Sequence, residues 1–168
     1  GSGKTIVAAL AACQAIDAGY QVVILAPTEI LAEQHLHNFR QWLDPMQVSI
    51  TWLAGKQKAA QRRESLAAIV SGQAQVIVGT HAVFQEAVVY QHLGLVIIDE
   101  QHRFGVAQRQ ALLQKAGPDS TPHQLIMSAT PIPRTLAMSA YGDLDHSIID
   151  ELPPGRKPIN TVVISNNK

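Results

Sequence analysis

Leu95-Val96-Ile97-Ile98-Asp99-Glu100-Gln101-His102 decides the fold class. Four consecutive apolar residues, three of them β-branched, end a run over 93–98 that reads as a strand buried on both faces, and two acids follow where the strand leaves its sheet. Strands of that kind belong to parallel sheets covered by helices, in which ligands bind off the carboxyl ends of the strands. Adjacent acids at such an edge are placed to hold a metal ion and to polarise a water. Standing alone, they would equally well cap the next helix, because Asp and Glu favour helix N-termini.

Upstream of that strand, residues 5–18 read as an Ala-rich helix stopped by Gly19, and residues 21–26 as a second buried strand. Pro27-Thr28-Glu29 turns the chain into a helix over 30–43, with Ile30, Leu31, Leu36, Phe39 and Leu43 as its apolar stripe. A strand over 48–53, a helix over 56–70 and a strand over 75–78 follow, and Arg62-Arg63-Glu64 reads as a solvated helix face. Downstream come a helix over 106–114, a strand over 124–127, a helix over 134–139 and a strand over 147–149. Residues 151–158 are Pro-rich and polar and read as an exit linker, and a further strand begins at 159–164. Strands alternating with helices imply βαβ units and a parallel sheet. Thr28, Thr80, Asp99 and Ser128 then all fall at its carboxyl edge.

Composition narrows the class. With 168 residues, 46% hydrophobic and 15% charged, the chain has material for one packed core, which excludes an intrinsically disordered protein. Thirteen basic and 13 acidic residues cancel, so any nucleic-acid binding must rest on local contacts. Cys13 is the single cysteine, which excludes a disulfide framework and a Cys-rich zinc site. His35, His37, His92, His123 and His146 show no ligand spacing and read as ordinary polar positions. The apolar runs are too short for a membrane span and no leader opens the chain, so the expected setting is cytoplasmic.

Gly1-Ser2-Gly3-Lys4-Thr5 fits the end of the phosphate-binding loop G-x-x-x-x-G-K-[ST]. In that loop, N–H groups at a helix start hold phosphate oxygens, the Lys reaches the β/γ-phosphates and the Thr hydroxyl ligates Mg²⁺. The first glycine and the leading strand would precede residue 1, so the chain is expected to begin inside a motif. Combined with this loop, Asp99 is placed to hold the metal through its water shell and Glu100 to polarise the attacking water. Small hydroxyl residues at Ser128 and Thr130 can hydrogen-bond the acidic pair, although by themselves they would read as caps of the next helix.

Taken in order, Gly1-Ser2-Gly3-Lys4-Thr5, Ala26-Pro27-Thr28, Gly79-Thr80-His81, Asp99-Glu100-Gln101-His102 and Ser128-Ala129-Thr130 resemble motifs I, Ia, Ib, II and III of the superfamily 2 helicases. Residues 26–35, 99–109, 130–135 and 150–159 are similar in wording to one bacterial branch, the ATP-dependent DNA helicases that remodel stalled forks and branched recombination intermediates. Motors of transcription-repair coupling factors share residues 102–106 and 130–135 but typically carry Glu where this chain has Gln101. Such a motor is the alternative, as is a folded nucleotide-binding fragment without catalysis.

The resemblance implies an α/β, RecA-like P-loop NTPase domain over 1–150, with a mostly parallel sheet, helices on both faces and the strand before the P-loop missing. Residues 151–168 would be a linker and the start of a second motor domain. ATP and Mg²⁺ would be the cofactors, with Gly1, Ser2, Gly3, Lys4 and Thr5 on the phosphates and Thr5 and Asp99 at the metal. Lys4, Asp99 and Glu100 would carry hydrolysis, and His102, Ser128, Ala129 and Thr130 would couple nucleotide state to movement. Pro27, Thr28, Thr80 and His81 would face the DNA backbone. The implied partners are branched or forked DNA and, in the same protein, a second RecA-like domain and a wedge domain, with no membrane involved. An arginine finger from that second domain is worth roughly 10³–10⁵ in kcat in related chemistry. The isolated chain is therefore expected to hydrolyse ATP very poorly and to unwind nothing. A missing leading strand is expected to leave unpaired ladders in the middle of the sheet.

Overall fold

The computed structural model describes residues 3–117, 120–129 and 145–151. In chain order the elements are α1 (Lys4–Asp17), β1 (Gln21–Leu25), α2 (Glu29–Leu43), β2 (Ile50–Leu53), α3 (Ala59–Val70), β3 (Val76–Gly79), β4 (Leu93–Asp99), α4 (Val106–Gln114) and β5 (His123–Met127). Short 3₁₀ turns occupy Asp44–Met46, His81–Phe84 and Gln101–Arg103.

The five strands form one sheet in the order β2-β3-β1-β4-β5, and every neighbouring pair is parallel. Period-two alternation within β1 sends Val22 and Ile24 to one face and Val23 and Leu25 to the other, and all four are fully buried. On the first face, Ala8, Ala9 and Ala12 of α1 and Ala32, Phe39 and Leu43 of α2 join them. On the second, Ile69 of α3 and Leu112 of α4 close the core with Val96 and Ile98. Burial on both faces is why these strands read as continuous apolar runs rather than alternating ones.

The described strands form a continuous ladder, so the unpaired edges expected in the middle of the sheet are not found; β1 takes the centre, bonded to β3 and β4. The strand expected at 147–149 is also absent. Ser147, Ile148 and Ile149 pair with no strand among the described residues, and Ile148 is 73% exposed. The helix expected at 134–139 and the segment 152–168 lie outside the described residues. Expected boundaries otherwise move by a few residues. The helix expected from 56 starts at Ala59 because Gln57 is held in the preceding loop, its Nε2 donating to the Trp52 carbonyl and the Ser65 hydroxyl, both at 3.2 Å.

Gly79, at the end of β3, lies where β2 leaves no room for a side chain. A Cβ there would lie 2.1 Å from the Leu53 carbonyl oxygen and 2.9 Å from Val83. Gly79→Ala is expected to cost about 1–3 kcal/mol of stability through forced backbone displacement, read by urea unfolding. A loss indistinguishable from zero would mean that β2 and β3 slide apart freely.

Candidate active site

Strand register builds the site. Leu25 lies beside Gly79 on one side and Ile98 on the other, and Asp99 lies beside Met127. The Ala26 N–H donates to the Gly79 carbonyl at 3.1 Å, extending the ladder to the point where both chains leave the sheet. Pro27-Thr28, Thr80-His81, Asp99-Glu100 and Ser128-Ala129 therefore exit side by side from the carboxyl edge.

The phosphate-loop end reaches the same edge by a different route. Small alanines let α1 lie against β1 and β4. A turn at Gly19, with the Tyr20 N–H donating to the Ala15 carbonyl at 2.9 Å, then feeds the amino end of β1. The helix thus runs against the strands, and its first turn stands at their carboxyl ends. Gly3 caps it at φ 98°, a conformation that strains L-residues. Lys4 and Thr5 are half-buried in the first turn, where N–H groups have no intrahelical acceptor and the helix dipole is positive.

Glu100 has φ 52°, the left-handed region that few non-glycine residues occupy. It precedes the Gln101–Arg103 turn without capping it. Instead its carboxylate crosses to the end of β5, accepting from the Ser128 hydroxyl at 3.3 Å and from the Ala129 N–H at 3.1 Å. Its own N–H donates to the Met127 carbonyl at 2.9 Å. The helix-capping alternative does not hold for Glu100, which makes no side-chain cap bond to the turn it precedes and bonds Ser128 instead; the helix that Ser128 would cap lies outside the described residues.

Asp99 is held from the other side. Its Oδ2 lies 2.8 Å from His35 Nε2, and both side chains are largely buried. Since a carboxylate only accepts, Nε2–H is the donor. Nothing in the histidine spacing had singled out His35. The available signal was its position in the buried stripe Ala32, His35, Phe39, Leu43, where one polar member requires a polar partner.

Of the four residues expected to face DNA, Thr28 and His81 are exposed and Pro27 is half-buried. Thr80 is not open to solvent. It is 2% exposed, and the following 3₁₀ turn closes over it, with Ala82 and Val83 buried and the Val83 N–H donating to the Thr80 carbonyl at 3.1 Å. Its hydroxyl has no hydrogen-bond partner among the described residues. The turn is anchored in turn by Tyr90, whose hydroxyl donates to the Val83 carbonyl at 3.1 Å and whose pKa burial pushes above the usual phenol range. Thr28 accepts from the Leu31 N–H at 3.3 Å as the cap of α2. Arg62, read as solvated, is half-buried and donates to the Ala54 carbonyl and to Gln85, tying α3 to the loops beside His81. Gly1, Ser2 and Thr130 lie outside the described residues, as does the side chain of His102.

Residues 1–139 match the family model of the DEAD/DEAH box helicases. The chain belongs to that family. Within it, this helicase domain is similar over its whole length to the protein named ATP-dependent DNA helicase RecG, at 63% identity in Escherichia coli and 62% in Haemophilus influenzae. It spans 24% of each of those relatives. A solved structure of RecG bound to a three-way DNA junction superposes with a TM-score of 0.79 at 42% identity, covering 95% of this chain and 21% of that one. The bacterial branch indicated by residues 26–35 and 99–109 is thus borne out, as is the RecA-like parallel fold of the helicase domain. Helicases of this family use nucleotide. Among the described residues no helix of this domain is long and apolar enough to cross a membrane.

Proposed function

We propose that this chain is the first of two RecA-like motor domains in an ATP-driven translocase that moves on double-stranded DNA and remodels stalled forks and branched recombination intermediates. Residues 1–150 would be the motor and 151–168 the lead into its partner domain. The observation that carries the reading is the convergence of Asp99, Glu100, Ser128 and Ala129 on the sheet edge that the Gly3-capped helix start also reaches. Similarity to RecG, solved on a three-way junction, supports branched DNA as the substrate.

The donor set suits Mg²⁺, which is bound in such sites by one or two carboxylates together with substrate phosphates and water. Asp99 and the Thr5 hydroxyl are the hard oxygen donors, and among the described residues no cluster of three or more His, Cys, Asp or Glu competes with them. Bound there, Mg²⁺ would neutralise charge developing on the phosphate oxygens. Gly3, Lys4 and Thr5 supply N–H groups and a cation to the phosphates, and the motif assigns Gly1 and Ser2 to the same task. Glu100, fixed by two hydrogen bonds, orients and polarises the attacking water. Ser128 and Ala129 grip that carboxylate directly, so a shift of β5's end moves the water-orienting group; His102 and Thr130 flank the same two segments. Pro27, Thr28 and His81 meet the DNA backbone, with Thr80 packed beneath His81. Phosphate contacts of this kind position a motor without reading sequence.

Lys4→Ala in the protein at its full length is the direct test. Fork-dependent ATP turnover and branch unwinding should both be lost, with the protein still folded. Retention of both would reduce the domain to a nucleotide-independent binding module.

A further inference from the structure

We propose that His35 is a positioning residue for Asp99, through which the helix headed by Thr28 sets the carboxylate of the nucleotide site. The inference rests on the reading of Asp99 as a metal-holding group. His35 is the one polar side chain in the buried stripe of α2 and is 6% exposed. Its Nε2–H reaches Asp99 Oδ2 at 2.8 Å across a sequence separation of 64 residues. Its second ring nitrogen, Nδ1, is buried and has no hydrogen-bond partner among the described residues. A leucine would fill the stripe without burying an unpaired Nδ1, so packing alone does not call for the ring. What it supplies is a directed donor that leaves Asp99 with one oxygen engaged and the other available.

The link is mechanical because of what lies at each end. Thr28 caps α2 through the Leu31 N–H, and His35 lies further down the same helix. Ala32, Phe39 and Leu43 pack α2 onto the sheet, making the helix one rigid element. A backbone phosphate engaged at Thr28 therefore bears on Asp99 through a single hydrogen bond.

Two variants separate this from a structural role. His35→Leu fills the stripe and removes the donor, whereas His35→Gln carries an amide nitrogen about as far from the backbone as Nε2. In the full-length protein, His35→Leu should lower fork-stimulated ATP turnover by about 10-fold or more and raise several-fold the Mg²⁺ concentration for half-maximal binding of a non-hydrolysable ATP analogue, read by calorimetry without turnover, the range seen for partners of metal-holding side chains. KM for ATP should stay within twofold, and His35→Gln should recover most of the lost turnover. His35→Leu matching the unsubstituted protein within twofold in both quantities would overturn the proposal. So would a folded His35→Gln as impaired as His35→Leu, since the ring's shape rather than its bond would then matter. Should the leucine variant not fold, the same two readouts on His35→Gln and His35→Ala decide between bond and packing. Lys4→Ala run alongside keeps the levels apart: full turnover there would instead defeat the nucleotide-site reading itself.

Discussion

Glu100→Gln is expected to slow fork-stimulated ATP turnover by about 10²–10⁴-fold, the usual contribution of a positioned general base, while ATP binding measured by calorimetry persists. The substitution is nearly isosteric, and the surroundings tolerate it. The Gln carbonyl can still accept from the Ala129 N–H, and the Ser128 hydroxyl can accept from the new amide as readily as it now donates to the carboxylate. The left-handed backbone at φ 52° is left untouched, as is the bond from the Glu100 N–H to Met127. What disappears is the negative charge that, on the proposed reading, would polarise the water. Unchanged turnover in a folded Glu100→Gln protein would move the role of base elsewhere. Loss of ATP binding together with turnover would show that Glu100 acts on the nucleotide itself rather than on water.

Gln21→Leu is expected to destabilise the domain by about 3–5 kcal/mol, because it removes four hydrogen bonds to the backbone of two loops at once. Gln21 is 4% exposed at the amino end of the central strand. Its Nε2 donates to the Ile69 carbonyl at 3.0 Å and to the Ala74 carbonyl at 2.8 Å. Its Oε1 accepts from the Gln91 N–H at 2.8 Å and the His92 N–H at 3.1 Å. Every hydrogen-bonding position of the amide is used, and the two loops it joins lead into the strands on either side of β1. Leucine matches the volume but satisfies none of the four groups. Urea unfolding monitored by circular dichroism should show the midpoint falling with an unchanged slope. A loss below about 1 kcal/mol would mean that the loops rearrange to satisfy their own N–H and carbonyl groups. Sitting at the opposite edge from Asp99, Gln21 should leave the catalytic rate of the folded fraction intact.

The architecture was legible because its strongest signals are local. Residues 22–25 and 95–98 are apolar without interruption, which only a strand covered on both faces requires, and Gly19 and Thr28 mark a helix end and a helix start. The acids at 99–100 and the small residues at 128–129 were readable as neighbours once the parallel sheet was granted, since register alone brings them together. His35 was not, because its meaning lies in a partner 64 residues away, and histidine spacing carries no trace of a one-to-one bond. Arg62 was misread for the same reason: its acceptors, Ala54 and Gln85, belong to separate loops. Thr80 was placed at the correct edge, but whether a hydroxyl there turns outward or inward depends on the tight turn that follows, which the pattern Gly79-Thr80-His81 does not reveal. At 147–149 two isoleucines after Ser147 were taken for a strand without a partner in view, and a strand is defined by its ladder.

The strand order has a consequence for synthesis of the chain. The centre of the sheet, β1, leaves the ribosome before either of its neighbours: Val22 must wait for Val76 on one side and for Leu95 on the other. During that interval a fully apolar segment, Val22 to Leu25, has unsatisfied N–H and carbonyl groups along both edges, the condition under which nascent chains associate wrongly. Among the described elements, α1 and α2, made immediately before and after it, can shelter it in the meantime, and they cover one face. Of the described strands β5 is made last, and only then does Met127 join Asp99, so a ribosome stalled short of β5 carries a helicase domain whose Glu100 carboxylate lacks its partners Ser128 and Ala129.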